Sequence, residues 1–292
     1  MKLKKKKKVD YIDVIAHVIM VLVSITILYP MLNTIAKSFS GASAITSGKV
    51  SIFPVDFTMY AYQYVMEQEK IIRSFGNSIY YTALGVTCNL LATAMMAYPL
   101  SKMKLIGRSW IMKLVTFTMY FTGGTIPTYL LVHSMGLLNS EWSLVLPNLI
   151  WTMDLIICIN GYQAIPESLY EAAYLDGATE FQVFTKIALP LTKATLASIG
   201  LFFFMGHWNS FFLPLLYIRD VDKMPLQVVL RNILIEEQGM DGFGPNNELG
   251  QYLTADSIKN AIIVVTMVPV MIVYPAVQKH FVGGVMIGSV KG

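Results

Sequence analysis

The sequence is short of charge. Only 14% of its 292 residues are Asp, Glu, Lys or Arg, against 55% hydrophobic residues and a mean hydropathy of +0.56. A soluble domain carries roughly a quarter charged residues, so an ordinary soluble protein is excluded. Cysteine is nearly absent: Cys88 and Cys158 both fall in apolar runs and read as small packing residues rather than a disulfide or metal pair. His17, His133, His207 and His280 are scattered without metal-ligand spacing. No internal repeat of about 20–50 residues is visible, which excludes a solenoid. A phosphate loop is missing too. Gly41 to Lys49 reads GASAITSGK, but its spacing before Gly-Lys is too long and Val50 follows. The chain is therefore expected to bind no nucleotide or other cofactor itself.

What is there is long apolar sequence. Runs at about 14–36, 74–98, 112–132, 142–163, 194–217 and 260–278 approach or exceed the ~20 residues a helix needs to cross a hydrocarbon core. In lipid each backbone group must be satisfied within its own segment, so these are expected to be helices. The expectation is an all-α membrane protein with six transmembrane helices. The opening MKLKKKKKVD resembles the basic start of a signal peptide. The apolar run behind it is longer than the ~7–15 residues of a signal core, so it is expected to stay as an anchor.

Lysine and arginine set the orientation. With the N-terminus inside, the inner set is Lys2, Lys4 to Lys8, Lys102, Lys104, Arg108, Lys113, Lys186, Lys193, Lys279 and Lys291. The outer set, Lys37, Lys49, Lys70, Arg73, Arg219, Lys223, Arg231 and Lys259, is smaller and spread over longer loops. The positive-inside rule then predicts both termini in the cytoplasm. The lysine run reads as a topology signal touching anionic lipid, not a nucleic-acid arm. The expected organisation is a basic N-terminus (1–13), a transmembrane domain (14–281) with an inside segment at 164–190, and a cytoplasmic tail (282–292). The outside loop 219–259, with PLQVVLRNILI and GMDGFGPNNELG, is too long to be slack and is expected to bind something.

The inside segment contains YEAAYLDGATEFQVFTKIALP, residues 170–190. Pro166 and Glu167 suit a helix start. Tyr170, Ala173, Tyr174, Gly177, Phe181, Phe184 and Ile187 recur at helical spacing and predict an apolar face, with two short helices bent at Gly177. Helices that lie on anionic lipid favour Lys and Arg on their polar face. This one carries Glu167, Glu171, Asp176 and Glu180 against Lys186 and Lys193, so a protein partner fits better.

These residues carry a resemblance. Glu171-Ala172-Ala173, then Gly177, then Ile187-x-Leu189-Pro190 resembles, at the same spacing, the EAA motif of permease subunits in binding-protein-dependent ABC importers. The six runs, the long loop before the last, and the ending from Phe281 to Gly292 resemble the MalG-type sugar permease. Phe121 to Pro127 (FTGGTIP), Gly136-Leu137-Leu138-Asn139 and His207-Trp208-Asn209 are similar to a Gram-positive branch linked to complex oligosaccharides. The resemblance implies a type I importer fold and a companion permease that shares the pathway. It also implies a cytoplasmic ATPase dimer that holds ATP-Mg, and an extracytoplasmic binding protein that delivers the solute. It implies that Glu171 contacts a basic group of the ATPase, with Ala172 and Ala173 allowing close approach. Asp176, Gly177, Ile187 and Pro190 complete the coupling segment, and Val290, Lys291 and Gly292 reach the ATPase interface.

Other residues keep two readings. Asp154, mid-span, is either a pathway residue or a buried acid bonded to a partner chain; an ionisable group there costs at least about 2.5–3.5 kcal/mol. Trp208, beside Asn209, is either an interface aromatic or a stacking surface for a sugar. Gly123, Gly124 and Pro127 break or kink the third span, which either lines a cavity or allows close packing. The alternative function is an ion-coupled secondary transporter using Asp154, a class that shows internal repeats and paired broken helices. A membrane-embedded transferase would need clustered His, Asp or Glu, which the sequence does not offer.

Overall fold

The structure, a computed structural model, describes residues 11–235 and 253–284, with side chains described as far as Ile233 and from Leu253 to Gln278. Among the described residues it is helical, with no strand beyond one isolated bridge pair, Ser40 and Phe57. The chain divides into two units. One comprises the chain to Gln68 together with 233–265, and the other comprises Glu69–Asn232 with the chain from Thr266.

In the first unit α1 (Tyr11–Ser38) is predominantly apolar and its N-terminal part, residues 11–30, is exposed throughout, as expected of a helix whose solvent is lipid. It is followed by α2 (Ala42–Thr46) and α3 (Tyr60–Glu67). The Asn33 amide donates to the Val50 and Ser51 carbonyls. Phe39 stacks between Phe57 and Tyr62, at ring-centre distances of 5.6 and 4.7 Å.

The second unit is organised by α4 (Glu69–Ser101). Its buried face is not its oily one. Ser74, Ser78, Thr82, Gly85, Asn89, Thr93, Ala97 and Ser101 recur every three or four residues on the inside, while Ile79, Leu91 and Met95 face outward. In lipid, helices gain nothing by hiding leucine, so small residues that let backbones approach take the interface. Against this seam pack α8 (Thr152–Gln163) and α12 (Lys193–Trp208). A methyl at Gly85 would lie 2.5 Å from the His207 ring, and one at Gly206 would lie 2.0 Å from the Trp151 ring. Asn89, fully buried, ties three elements together. Its amide nitrogen donates to the Asn148 carbonyl (3.0 Å), and its amide oxygen meets His207 Nε2 (3.2 Å).

The third predicted span is broken. α5 (Arg108–Tyr120) stops at Phe121, and α6 (Thr125–Ser134) starts after Gly124, whose φ is +83°. α7 (Trp142–Val145) with the 3-10 turn Leu146–Asn148 meets α8 at 59°. Then come α9 (Glu167–Leu175), α10 (Glu180–Val183), a π-turn at Phe184–Ala188 and α11 (Leu189–Leu191), where the chain turns by 77° into α12. α13 (Phe212–Tyr217), α14 (Leu226–Ile235) and α15 (Ala255–Gly284) complete the order. By length and composition three helices can cross a membrane, or up to five if each bent pair is one span.

Two glycines of the second unit should respond oppositely to alanine. Gly76→Ala meets nothing within 4 Å in mid-helix and should raise the thermal unfolding midpoint in detergent, since it removes a helix penalty of about 1 kcal/mol. Gly206→Ala should lower the midpoint by displacing Trp151, at about 1–3 kcal/mol. Equal shifts would show that the Trp151 contact is not close.

Candidate functional site

The segment 164–191 is built into the end of α4. α9 ends in a Schellman motif: Ala178 N–H donates to the Ala173 carbonyl (2.9 Å) and Gly177 N–H to that of Tyr174 (3.0 Å). The motif needs a left-handed residue after the cap, and Gly177 supplies it with φ +80°. The next turn is opened by a capping box in which Thr179 and Gln182 bond reciprocally. The predicted bend at Gly177 is therefore present, with its own cap on each side.

The predicted single apolar face is divided. Tyr170, Ala173, Val183 and Ala188 are buried with Ala97, Tyr98 and Tyr162, and Phe184 and Ile187 pack against them. Tyr98 donates to Glu180 Oε2 (3.0 Å) and Tyr174 to Glu180 Oε1 (2.8 Å). Lys102 Nζ sits 3.3 Å above the Tyr170 ring centre and 4.9 Å from that of Tyr98, a cation–π contact of about 0.5–1 kcal/mol. Burial depresses the Lys102 pKa, partly offset by the Glu180 and Glu167 charges. Burial pushes the Tyr170 phenol up to about 12, with Tyr174 adding to the shift. The Lys104–Glu167 pair (3.7 Å) is exposed at both ends and holds little.

What remains outward is a mixed patch. Glu171, Ala172, Asp176 and Gly177 are exposed, and beside them Leu175 and Phe181 are 88% and 73% exposed. Ala173 is placed in the bundle core rather than on this surface, and Pro190 is exposed at the following turn. The sequence reading missed Leu175, which lies off the helical stripe it traced. Val290, Lys291, Gly292 and the loop stretch GMDGFGPNNELG lie outside the described residues.

At the other end of α4 lies a cavity of about 420 Å³, lined among others by Tyr81, Asn148, Trp151, His207, Ser210 and Pro225. A strap from Asp220 to Leu226 crosses α4 here. Asn77 donates to the Asp222 and Met224 carbonyls (2.8 and 3.2 Å), Tyr81 to that of Lys223 (2.9 Å), and Leu226 N–H to Ser78 (2.8 Å). Arg73 pairs with Asp222 (2.6 Å). Asn139 anchors the strap's start: at φ +61°, its side-chain oxygen accepts from Arg219 and Asp220 N–H.

Trp208 is not on this cavity. It is 2% exposed, donates to the Thr266 carbonyl (3.1 Å) and packs on Phe75 and Phe204. The aromatic walls are instead Tyr81, Trp151 and His207. Asn209 is exposed at the end of α12, bonded to Met205. Asp154 is 5% exposed and lies in the first turn of α8, near the middle of the bent unit that α7 and α8 form. No described residue hydrogen-bonds or ion-pairs with its carboxylate, and it is not among the residues lining the cavity.

Three helices, or up to five spans if each bent pair counts as one, are long and apolar enough to cross a membrane, which is the form of an integral membrane protein. The family described as binding-protein-dependent transport system inner membrane component matches residues 90–286, and the chain belongs to it. It is 40% identical over 280 residues to the polygalacturonan/rhamnogalacturonan transport system permease protein YtcP of Bacillus subtilis, covering 96% of this chain and 98% of that one. It is 45% identical over 271 residues to protein LplC of the same organism, covering 92% and 90%. A crystal structure of a bacterial ABC transporter involved in import of the acidic polysaccharide alginate contains a chain of like fold. The TM-score is 0.87 and the identity 31%, over 96% of this chain and 100% of that one. The chain thus has an ABC importer permease fold and is a multi-pass cell-membrane transport subunit, not an enzyme.

If the phenol bonds hold the 164–191 segment, Tyr98→Phe should raise amide hydrogen exchange across 167–176 by about 2- to 10-fold, the effect of losing one solvent-accessible hydrogen bond of about 0.5–1.5 kcal/mol. Unchanged exchange would show that the apolar contacts alone hold the segment.

Proposed function

We propose that this chain is one of two homologous permease subunits that form the pathway of an ATP-driven importer for a sugar or oligosaccharide. An extracytoplasmic binding protein delivers the cargo, and a cytoplasmic ABC ATPase dimer holding ATP-Mg drives the cycle. The chain has six spans in this reading: α1, α4, the broken pair α5–α6, the bent unit α7–α8, α12 and α15. Both termini then lie in the cytoplasm with the segment 164–191. The cargo class is supported by relatives named for polygalacturonan, rhamnogalacturonan and alginate.

One observation carries the docking role: the outward patch and the inward face belong to the same short helices. Glu171, Ala172, Leu175, Asp176 and Phe181 face out, while Tyr170, Ala173 and Val183 are fixed in the core. A partner that grips this patch moves α4, α8 and α12 as packed elements, which is what a two-state coupling handle requires. Glu171 supplies the charge for a basic group of the ATPase, and Gly177 shapes the bend. Val290, Lys291 and Gly292 are proposed as a second contact with the ATPase.

The pathway is assigned to the end of the bundle near Trp208 and Asn209, with Trp208 supporting it from behind. Asp154 is buried behind the wall of that pathway, off the cavity lining, and has no coupling role in this reading.

Reversing the charge with Glu171→Lys should abolish ATPase co-purification and uptake while leaving the chain membrane-inserted at wild-type level. Uptake at the wild-type rate would refute the docking role. Asp154→Asn should leave uptake dependent on ATP and indifferent to dissipation of the proton gradient. Uptake that responds to the gradient before, and not after, the substitution would favour ion coupling.

A further inference from the structure

We infer that the cavity under the Asp220–Leu226 strap is a saccharide subsite carried by this chain itself, shaped for a neutral pyranose unit rather than a uronate. The inference rests on the proposed cargo class and adds where this subunit touches the cargo and which part of it. The cavity, about 420 Å³, is within the range of about 300–1,000 Å³ typical of small-ligand sites. Its walls combine rings with short polar groups, the two surfaces a pyranose needs. Trp151 and His207 adjoin at a ring-centre distance of 6.0 Å and an angle of 37°, so the apolar C–H face of a sugar has an aromatic wall to lie on. Asn148 and Ser210 supply amide and hydroxyl groups.

The hydrogen-bond network fixes what His207 offers. Asn89 donates its amide nitrogen to the Asn148 carbonyl, so its oxygen faces His207 Nε2 and accepts from it. In a neutral ring the proton then sits on Nε2 and Nδ1 is left as an acceptor. No described residue donates to Nδ1, and the Ser210 hydroxyl has no bond to a described side chain. A sugar hydroxyl can satisfy both.

The exclusion of uronates follows from charge. None of the described residues lining the cavity is Asp, Glu, Lys or Arg. A carboxylate brought in would lose water without gaining a cation, a cost that a hydroxymethyl group does not meet. In a cargo that mixes neutral and acidic units, the subsite takes a neutral one. Gly85 and Gly206 hold the two rings in place, since a methyl at either would occupy ring atoms.

The test uses the membrane complex of both permeases and the ATPase in nanodiscs, without the binding protein, and saturation-transfer NMR. The probes are methyl β-D-galactopyranoside and methyl β-D-galactopyranosiduronate, which differ only in the oxidation of C6. The neutral glycoside should give saturable transfer and the uronate should bind at least about tenfold more weakly. Trp151→Ala should weaken the neutral glycoside by about 3- to 10-fold and Trp151→Phe by less. Ser210→Phe, which fills the cavity from its rim, should abolish the transfer while the ATPase still co-purifies. Transfer that survives both Trp151→Ala and Ser210→Phe would place the sugar on the companion permease and overturn the inference. Stronger binding of the uronate, or no saturable transfer from either probe, would overturn it too. If the wild-type chain fails to bring down an ATPase, the importer reading falls first.

Discussion

The small-residue seam of α4 is the constraint on which the second unit depends. Between helices in lipid there is no water to expel, so contact must come from close approach and from hydrogen bonds. Ser74, Ser78, Thr82, Gly85, Asn89, Thr93 and Ala97 provide both along one face. They let α8 and α12 come near enough for Trp151 to lie on Gly206 and His207 on Gly85. A larger side chain at either glycine would separate the helices and remove the Asn89 bridge with them. The fold is thus set by what α4 omits, namely bulk, on the face where a soluble helix would carry leucine.

The same rod joins two chemically different ends. From Ser78, under the strap, to Ser101, beside the 164–191 segment, α4 rises about 35 Å at 1.5 Å per residue. At one end it bonds to the Asp220–Leu226 strap through Asn77, Ser78 and Tyr81. At the other, Tyr98 bonds to Glu180, and Lys102, just beyond the helix, caps Tyr170. A displacement of the short helices α9 and α10 is therefore carried to the cavity's rim by one unbroken helix rather than by a chain of loops. Packed elements respond by shifting as bodies, which suits a transporter that alternates between two states.

Much of this was legible in the sequence, and what was not shares one cause. The helices, the break at Phe121–Gly124 and the bend at Gly177 are local signals, written in hydropathy, in glycine and in spacing. The partition of the 164–191 segment was not local. Ala173 and Leu175 are two residues apart, yet one is in the core and the other is 88% exposed; only the position of α4 decides which way each points. Trp208 has the position of an interface tryptophan near a span end, whereas its neighbour His207 lines the cavity and Trp208 is sealed against Phe75 and Phe204. Trp151 and Asn148 meet His207 and Asn89 from positions about 60 residues away in sequence. Hydropathy averages over a window and cannot report such pairs. The motif Gly136-Leu137-Leu138-Asn139 shows the reverse case, a local string whose use is distant: Asn139 takes the left-handed turn in order to cap Arg219 and Asp220.

Asp154 separates the two transport mechanisms that the sequence left open. A coupling acid must exchange protons or cations with a wet path, and ion-coupled carriers build that path from paired broken helices in repeated halves. The sequence shows no internal repeat, so the break at Phe121–Gly124 and the bends before α8 and α12 do not recur as matching halves. Asp154 is closed off in the first turn of α8, while the cavity beside it is lined by neutral groups. Family membership puts the energy source on another subunit. A chain whose driving force arrives through a docked partner needs no charge that moves in its own pathway, and a cavity free of fixed charge is the better surface for releasing a polyhydroxyl cargo. Neutral walls hold a sugar by many weak contacts and let it leave when the helices part.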